Sequence, residues 1–176
     1  ANGNGIAYFQ ANGSSFPLSD GIILSTGNAL NANGPNSLGD RSDNLFSGND
    51  NDLESVMAAA GSPLISLDAT WVSFDFVPTA SFISFDYLFA SEEYNGNFEC
   101  QFADAFAFIL TDSVTGAVTN LATIPGSNLP VQVITVRDPP PNACAPVNPT
   151  FFDQYNLGNN TFGEANLGSP AVTSPI

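Results

Sequence analysis

The sequence predicts a mainly β fold, a β-sandwich of short antiparallel strands with long loops and one short helix at about residues 51–60. Three observations predict it. Apolar residues alternate with polar ones over several short segments, Gly, Asn and Pro interrupt the chain too often for long helices, and a single stretch carries both helix-start and helix-stop signals. With 176 residues, 43% of them apolar, and 15 phenylalanines, the chain is long and apolar enough for one domain with its own core.

Taken in order, GIILST (21–26) is a weak strand, and NDLESVMAAAG (51–61) is the helix. Asn51 stands at the N-cap with Glu54 three residues on, a capping-box arrangement, and Gly61 stands where a left-handed cap ends the helix. TWVSFDFV (70–77) places Val72, Phe74 and Phe76 on one face, with Ser73 and Asp75 on the other. SFISFDYLFA (81–90) repeats the pattern with Ile83, Phe85, Tyr87 and Phe89, and the short turn containing Pro78 makes the two an antiparallel hairpin or adjacent strands. DAFAFILT (104–111) and VQVITV (131–136) are further strands, and AVTNLATI (117–124) is a weaker one. No repeat and no shift in composition divides residues 1–176, which read as a single domain.

Charge narrows the function. The chain has two arginines, Arg41 and Arg137, no lysine and no histidine against 17 acidic residues, a formal net charge of -15. Nucleic acid and anionic membrane surfaces are repelled, and cations are attracted. A histidine-based triad, a histidine zinc site, a Schiff-base lysine and a phosphate loop ending in lysine are all excluded by composition. No apolar run reaches the roughly 18 residues of a membrane span. Cys100 and Cys144, flanked by Asn, Gly and Pro and not arranged as CxxC, read as a disulfide, which implies an oxidising compartment and ties RDPPPNACAPVNP (137–149) down as a rigid loop.

Oxygen ligands concentrate in four places: Asp40, Asp43, Asp50, Asp52 and Glu54; Glu92 and Glu93; Asp104; and Asp138 with Asn142. Calcium takes six to eight oxygens from groups of this kind. For Asp50 and Asp52 there is a plainer reading, that they cap the helix and favour its positive end. Continuing the alternation of SFISFDYLFA puts Glu93 on the buried face, where its charge needs a cation, Arg41 or Arg137. Two arginines cannot answer 17 acids, so a divalent ion is the better partner, and without histidine or free thiols calcium is favoured over zinc. A carboxylate-based glycosidase is disfavoured, because the single Trp71 falls mid-strand and offers no sugar platform.

Six ordered blocks, GIILSTGNALNANGPN (21–36), DNDLES (50–55), FDFVP (74–78), FDYLFASEEYNG (85–96), FADAFAFIL (102–110) and NLATIPGSNLPVQVITV (120–136), resemble the choice-of-anchor L domain family, which is similar to the calcium-dependent peptide-binding modules of bacterial RTX-type adhesins. The resemblance implies a non-catalytic, calcium-binding adhesion module, extracellular or on the bacterial cell surface, that recognises peptide or protein. It implies Glu92, Glu93 and Asp104 as calcium ligands, with Asp50 and Asp52 matching less closely. Relative to the family, strands before IAYFQANGSSF and after FFDQYN are missing, so the chain is either part of a longer protein or a domain whose edges another chain completes. The second case leads to an alternative function, a self-assembling subunit of an extracellular fibre whose partner is another copy of itself.

Overall fold

The computed structural model describes residues 4–13, 16–33, 42–94, 98–138 and 144–152, and the backbone of 172–173. It is mainly β with one α-helix. The described strands form antiparallel pairs: β1 (Ile6–Gln10) with β2 (Asp20–Leu24), β3 (Asp86–Tyr87) with β8 (Val172–Thr173), β4 (Ala105–Phe106) with β7 (Val131–Gln132), and β5 (Ile109–Thr111) with β6 (Val118–Asn120). Each ladder has two strands, so a pair of continuous packed sheets is not seen among the described residues. In the β1–β2 ladder Phe9 lies opposite Gly21, and a Cβ on Gly21 would come within 2.9 Å of the Phe9 ring, so a side chain there would require the ring to move.

Helix α1 (Asn51–Ala59) begins one residue earlier than its sequence signals suggest: Asp50 is the N-cap, and its carboxylate accepts the Leu53 N–H at 2.8 Å. The capping box is replaced by a relay. The Asp50 N–H donates to Ser66 Oγ at 2.8 Å, while the Ser66 hydroxyl and N–H both donate to Glu54 Oε1 at 2.9 Å. At the other end Gly61 adopts φ +78°, with Gly61 N–H bonded to the Ala58 carbonyl and Ser62 N–H to that of Met57, the pairing that closes a helix through a left-handed glycine. Met57 is fully buried against Gln132, whose amide donates to Met57 Sδ and the Ser62 carbonyl and accepts from the Ser62 hydroxyl, locking α1 onto β7.

The core gathers Tyr87, Phe89, Tyr94, Ala122, Ile124, Val131, Val133 and Val136. The expected alternation in SFISFDYLFA holds there. Tyr87 and Phe89 are buried, and Phe85 stacks on Phe108 with ring centroids 4.1 Å apart. Tyr94 anchors the far end, donating its hydroxyl to the Val136 carbonyl at 2.7 Å and meeting Phe152 edge to face.

Three strand expectations are corrected. DAFAFILT splits into β4 and β5, because Asn120 Oδ1 takes the Phe108 N–H and the two halves pair with different partners. VQVITV pairs only over Val131–Gln132, after which Thr135 N–H and Val136 N–H both turn back to the Gln132 carbonyl. TWVSFDFV joins no ladder among the described residues, and its apolar side chains are exposed, from 43% at Phe76 to 86% at Val77. The alternation is there; among the described residues a strand to pair with it is not.

Candidate metal centre

The segment that follows the core strand builds the site. After Ala90 the chain leaves the extended form and makes two 3-10 turns, Glu92–Tyr94 and Phe98–Cys100, that pack on each other. This corrects the placement of Glu93. Alternation would carry it onto the buried face, but the turn gives that place to Tyr94 and leaves both Glu92 and Glu93 half-buried.

Ser91 fastens the turn to the next strand. Its hydroxyl donates to Asp104 Oδ2 at 2.5 Å and accepts the Glu93 N–H at 3.1 Å. Asp104 is fixed in turn by its carbonyl, which accepts the Val133 N–H at 3.1 Å just before β4. Glu93 and Asp104, eleven positions apart in sequence, are therefore brought to one place through a single serine.

Electrostatics mark the place as strained. Burial pushes the Glu93 carboxyl above the usual carboxylate range, and the negative charges of Asp104, Glu92 and Glu99, in that order, push it further. Glu99 was not singled out by sequence. It is 0% exposed, and neither carboxylate oxygen has a hydrogen-bond partner. A signal for it exists, an acid wedged between Phe98 and the half-cystine Cys100, but an acid beside a half-cystine says nothing of burial until the loop is closed.

The expected disulfide is present: Cys100 and Cys144 are bonded, with Cα atoms 5.6 Å apart. Arg137 reinforces the same closure, with Nη1 donating to the Glu99 carbonyl at 3.2 Å and Nε to the Ala145 carbonyl at 2.9 Å. Its guanidinium thus serves two backbone oxygens and makes no hydrogen bond to the Glu99 carboxylate. Arg41, Asp40 and Asn142 lie outside the described residues.

Asp50 and Asp52 belong to a different place. Asp50 caps α1 and Asp52 sits exposed in its first turn. Asp43 accepts the Asn28 N–H and an Asn31 side-chain N–H, and Asp138 is exposed. Among the described residues no three carboxylates have oxygens all within 4.8 Å of one another; Glu99 with Cys100 and Cys144 is the one such group of acids and cysteines, and its sulfurs are spent in the disulfide. The donors near Glu93 are hard oxygens, which suit calcium and not zinc.

The choice-of-anchor L domain model matches residues 1–171, wider than the blocks that carried the resemblance. The chain belongs to the choice-of-anchor L domain family. As a choice-of-anchor L domain it is a module of a surface-associated bacterial protein, placed at the cell surface or outside the cell, in keeping with its disulfide. No curated protein and no solved structure matched the chain.

Proposed function

We propose that this choice-of-anchor L domain is a calcium-binding, non-catalytic adhesion module that recognises a peptide or protein ligand. One observation carries the reading: Glu93 is half-buried and Asp104, Glu92 and Glu99 act on it as like charges, while Arg137 is committed to backbone carbonyls. A carboxylate pushed in this way by its neighbours is relieved when a cation sits beside it. Glu93 and Asp104, linked through Ser91, and Glu92 supply the hard oxygens calcium takes, and a calcium ion with an open coordination position supplies a positive contact for a ligand carboxylate. The chain has no lysine or histidine to offer such a contact, and Arg137 is already bonded to two backbone carbonyls.

Equilibrium dialysis against calcium, followed by metal analysis, tests the first half. Retained calcium that is lost on Glu93→Gln supports the reading, and no retained calcium ends it. Peptides ending in a free carboxylate test the second half, with binding expected in calcium and not in chelator.

The exposed run Trp71, Val72, Phe74, Phe76 and Val77 favours a second reading, self-association into a fibre or matrix. A strand-like segment with an apolar face and no described partner is a site for pairing with another copy. Sedimentation velocity across a concentration series decides it: growth of larger species without ligand supports self-assembly, and a constant monomer contradicts it.

A further inference from the structure

The backbone of residues 70–77 is without partners. The Ala69 N–H just before it donates to the Gly48 carbonyl and β3 begins only at Asp86; between them, among the described residues, no N–H or C=O of 70–77 is hydrogen-bonded within the chain. Residues 71–77 are exposed, so the segment offers an open strand edge together with an apolar side. Val72, Phe74 and Phe76 share that side, with the Phe74 and Phe76 ring centroids 6.0 Å apart, and Ser73 and Asp75 take the other.

The order of these residues constrains what the edge can take. In an antiparallel pair, residues directly opposite each other lie on the same face. When the segment meets a second copy of itself about Phe74, Phe74 faces Phe74, Val72 faces Phe76, Trp71 faces Val77 and Asp75 faces Ser73. Every apolar residue then meets an aromatic or β-branched one, and no acid meets an acid. Moving the centre to Asp75 sets Asp75 against Asp75, and moving it to Ser73 sets Asp75 against Trp71. A centre between two residues sets polar side chains against apolar ones. Pro78, with no N–H, ends the pairing.

We propose that two copies of this chain pair antiparallel along residues 70–77, in the register centred on Phe74. The inference rests on the self-association reading above and gives it a register and a closed two-fold geometry: the edge that one copy offers is used by the other, so this contact yields a dimer. Each chain carries a formal charge of -15, so the copies repel at low salt and the pairing strengthens as salt screens them.

The experiment is sedimentation equilibrium of the full chain in chelator and about 0.5 M sodium chloride, where that repulsion is screened. Ser73→Lys is expected to tighten the dimer roughly fivefold and Ser73→Asp to loosen it roughly fivefold, because each dimer holds two Ser73–Asp75 pairs. The same changes at Thr79, exposed and beyond Pro78, alter the net charge equally and are expected to leave the affinity within about twofold. Under mild oxidation Phe74→Cys should cross-link two copies, whose opposed Cα atoms lie about 5 Å apart, and Ser73→Cys should not, at roughly 8 Å. Equal responses at positions 73 and 79, or cross-linking at 73 and not at 74, overturn the register and leave self-association standing. Growth past the dimer without these effects does the same. A wild-type chain that stays monomeric overturns the register and the self-association reading together, and leaves the calcium reading untouched.

Discussion

The two acidic regions of this domain are built from the same side chains and reach opposite states. At the start of α1, Asp50 accepts the Leu53 N–H, and Glu54 accepts both the N–H and the hydroxyl of Ser66, so each carboxylate is answered from within the chain. The Ser66 N–H, followed by its hydroxyl, holds Glu54 below the usual carboxylate range. Across the two 3-10 turns the opposite holds: burial and three acidic neighbours hold Glu93 above that range, and neither Glu99 carboxylate oxygen has a hydrogen-bond partner. The difference is the supply of donors. A helix N-terminus offers unsatisfied N–H groups to any nearby acid, whereas this turn spends its Glu93 N–H on Ser91.

The largest break in that contrast comes from the disulfide. Replacing Cys100 and Cys144 by serine should cost about 4 kcal/mol of stability, the chain-entropy value for a bond spanning 44 residues, and should weaken the response to calcium. Denaturant melts of the double variant with and without calcium check both effects. Next comes the ion. At a hundredfold excess over its Kd, calcium should stabilise the wild type by about 3 kcal/mol, and Glu93→Gln should remove most of that gain. Asp50→Ala should cost about 1 kcal/mol, the value of a helix N-cap, with the same loss in calcium and in chelator. Were its effect to depend on calcium, the separation of the two regions would fail.

The smallest effect is in pH, measured in chelator. Glu93 is raised in the folded state, so the folded chain holds that proton more tightly and stability should rise as pH falls from neutrality through the raised value. Glu54 is lowered, as is Asp112 after β5, whose carboxylate accepts the Thr115 and Val114 N–H groups, so what they contribute is present above their ordinary pKa and is lost as pH falls through the depressed values. The Glu93 gain therefore begins at a higher pH than the Glu54 loss. Metal-free protein should be most stable in mild acid, and Glu93→Gln should remove the rise while leaving the fall.

Local patterns account for what was legible in the sequence. The mainly β class, the helix and its glycine stop, the alternation from Phe85 to Phe89 and the cysteine pair all rest on neighbours a few residues apart or on the parity of two cysteines. Ser66 took over the capping bond from twelve residues away from Glu54, which no capping-box spacing encodes. The alternation of TWVSFDFV marks an apolar face but carries no information on whether another strand lies beside it. At the candidate site, Glu92, Glu93 and Asp104 were visible as acids at the ends of apolar runs. Glu99 was not, because its burial depends on closure of the 98–100 turn against Arg137 and Cys144, a contact across about forty residues of chain.

The most direct test of the central claim, that the second region is completed by a calcium ion, is a pair of thermal melts of the wild-type domain, one in calcium and one in chelator, with the bound metal counted in the first sample. The account predicts stoichiometric calcium and a melting point lower in chelator by on the order of 10 °C. Identical melting points with no bound metal would contradict it, and would leave a disulfide-stapled domain whose buried carboxylates are borne by the fold alone.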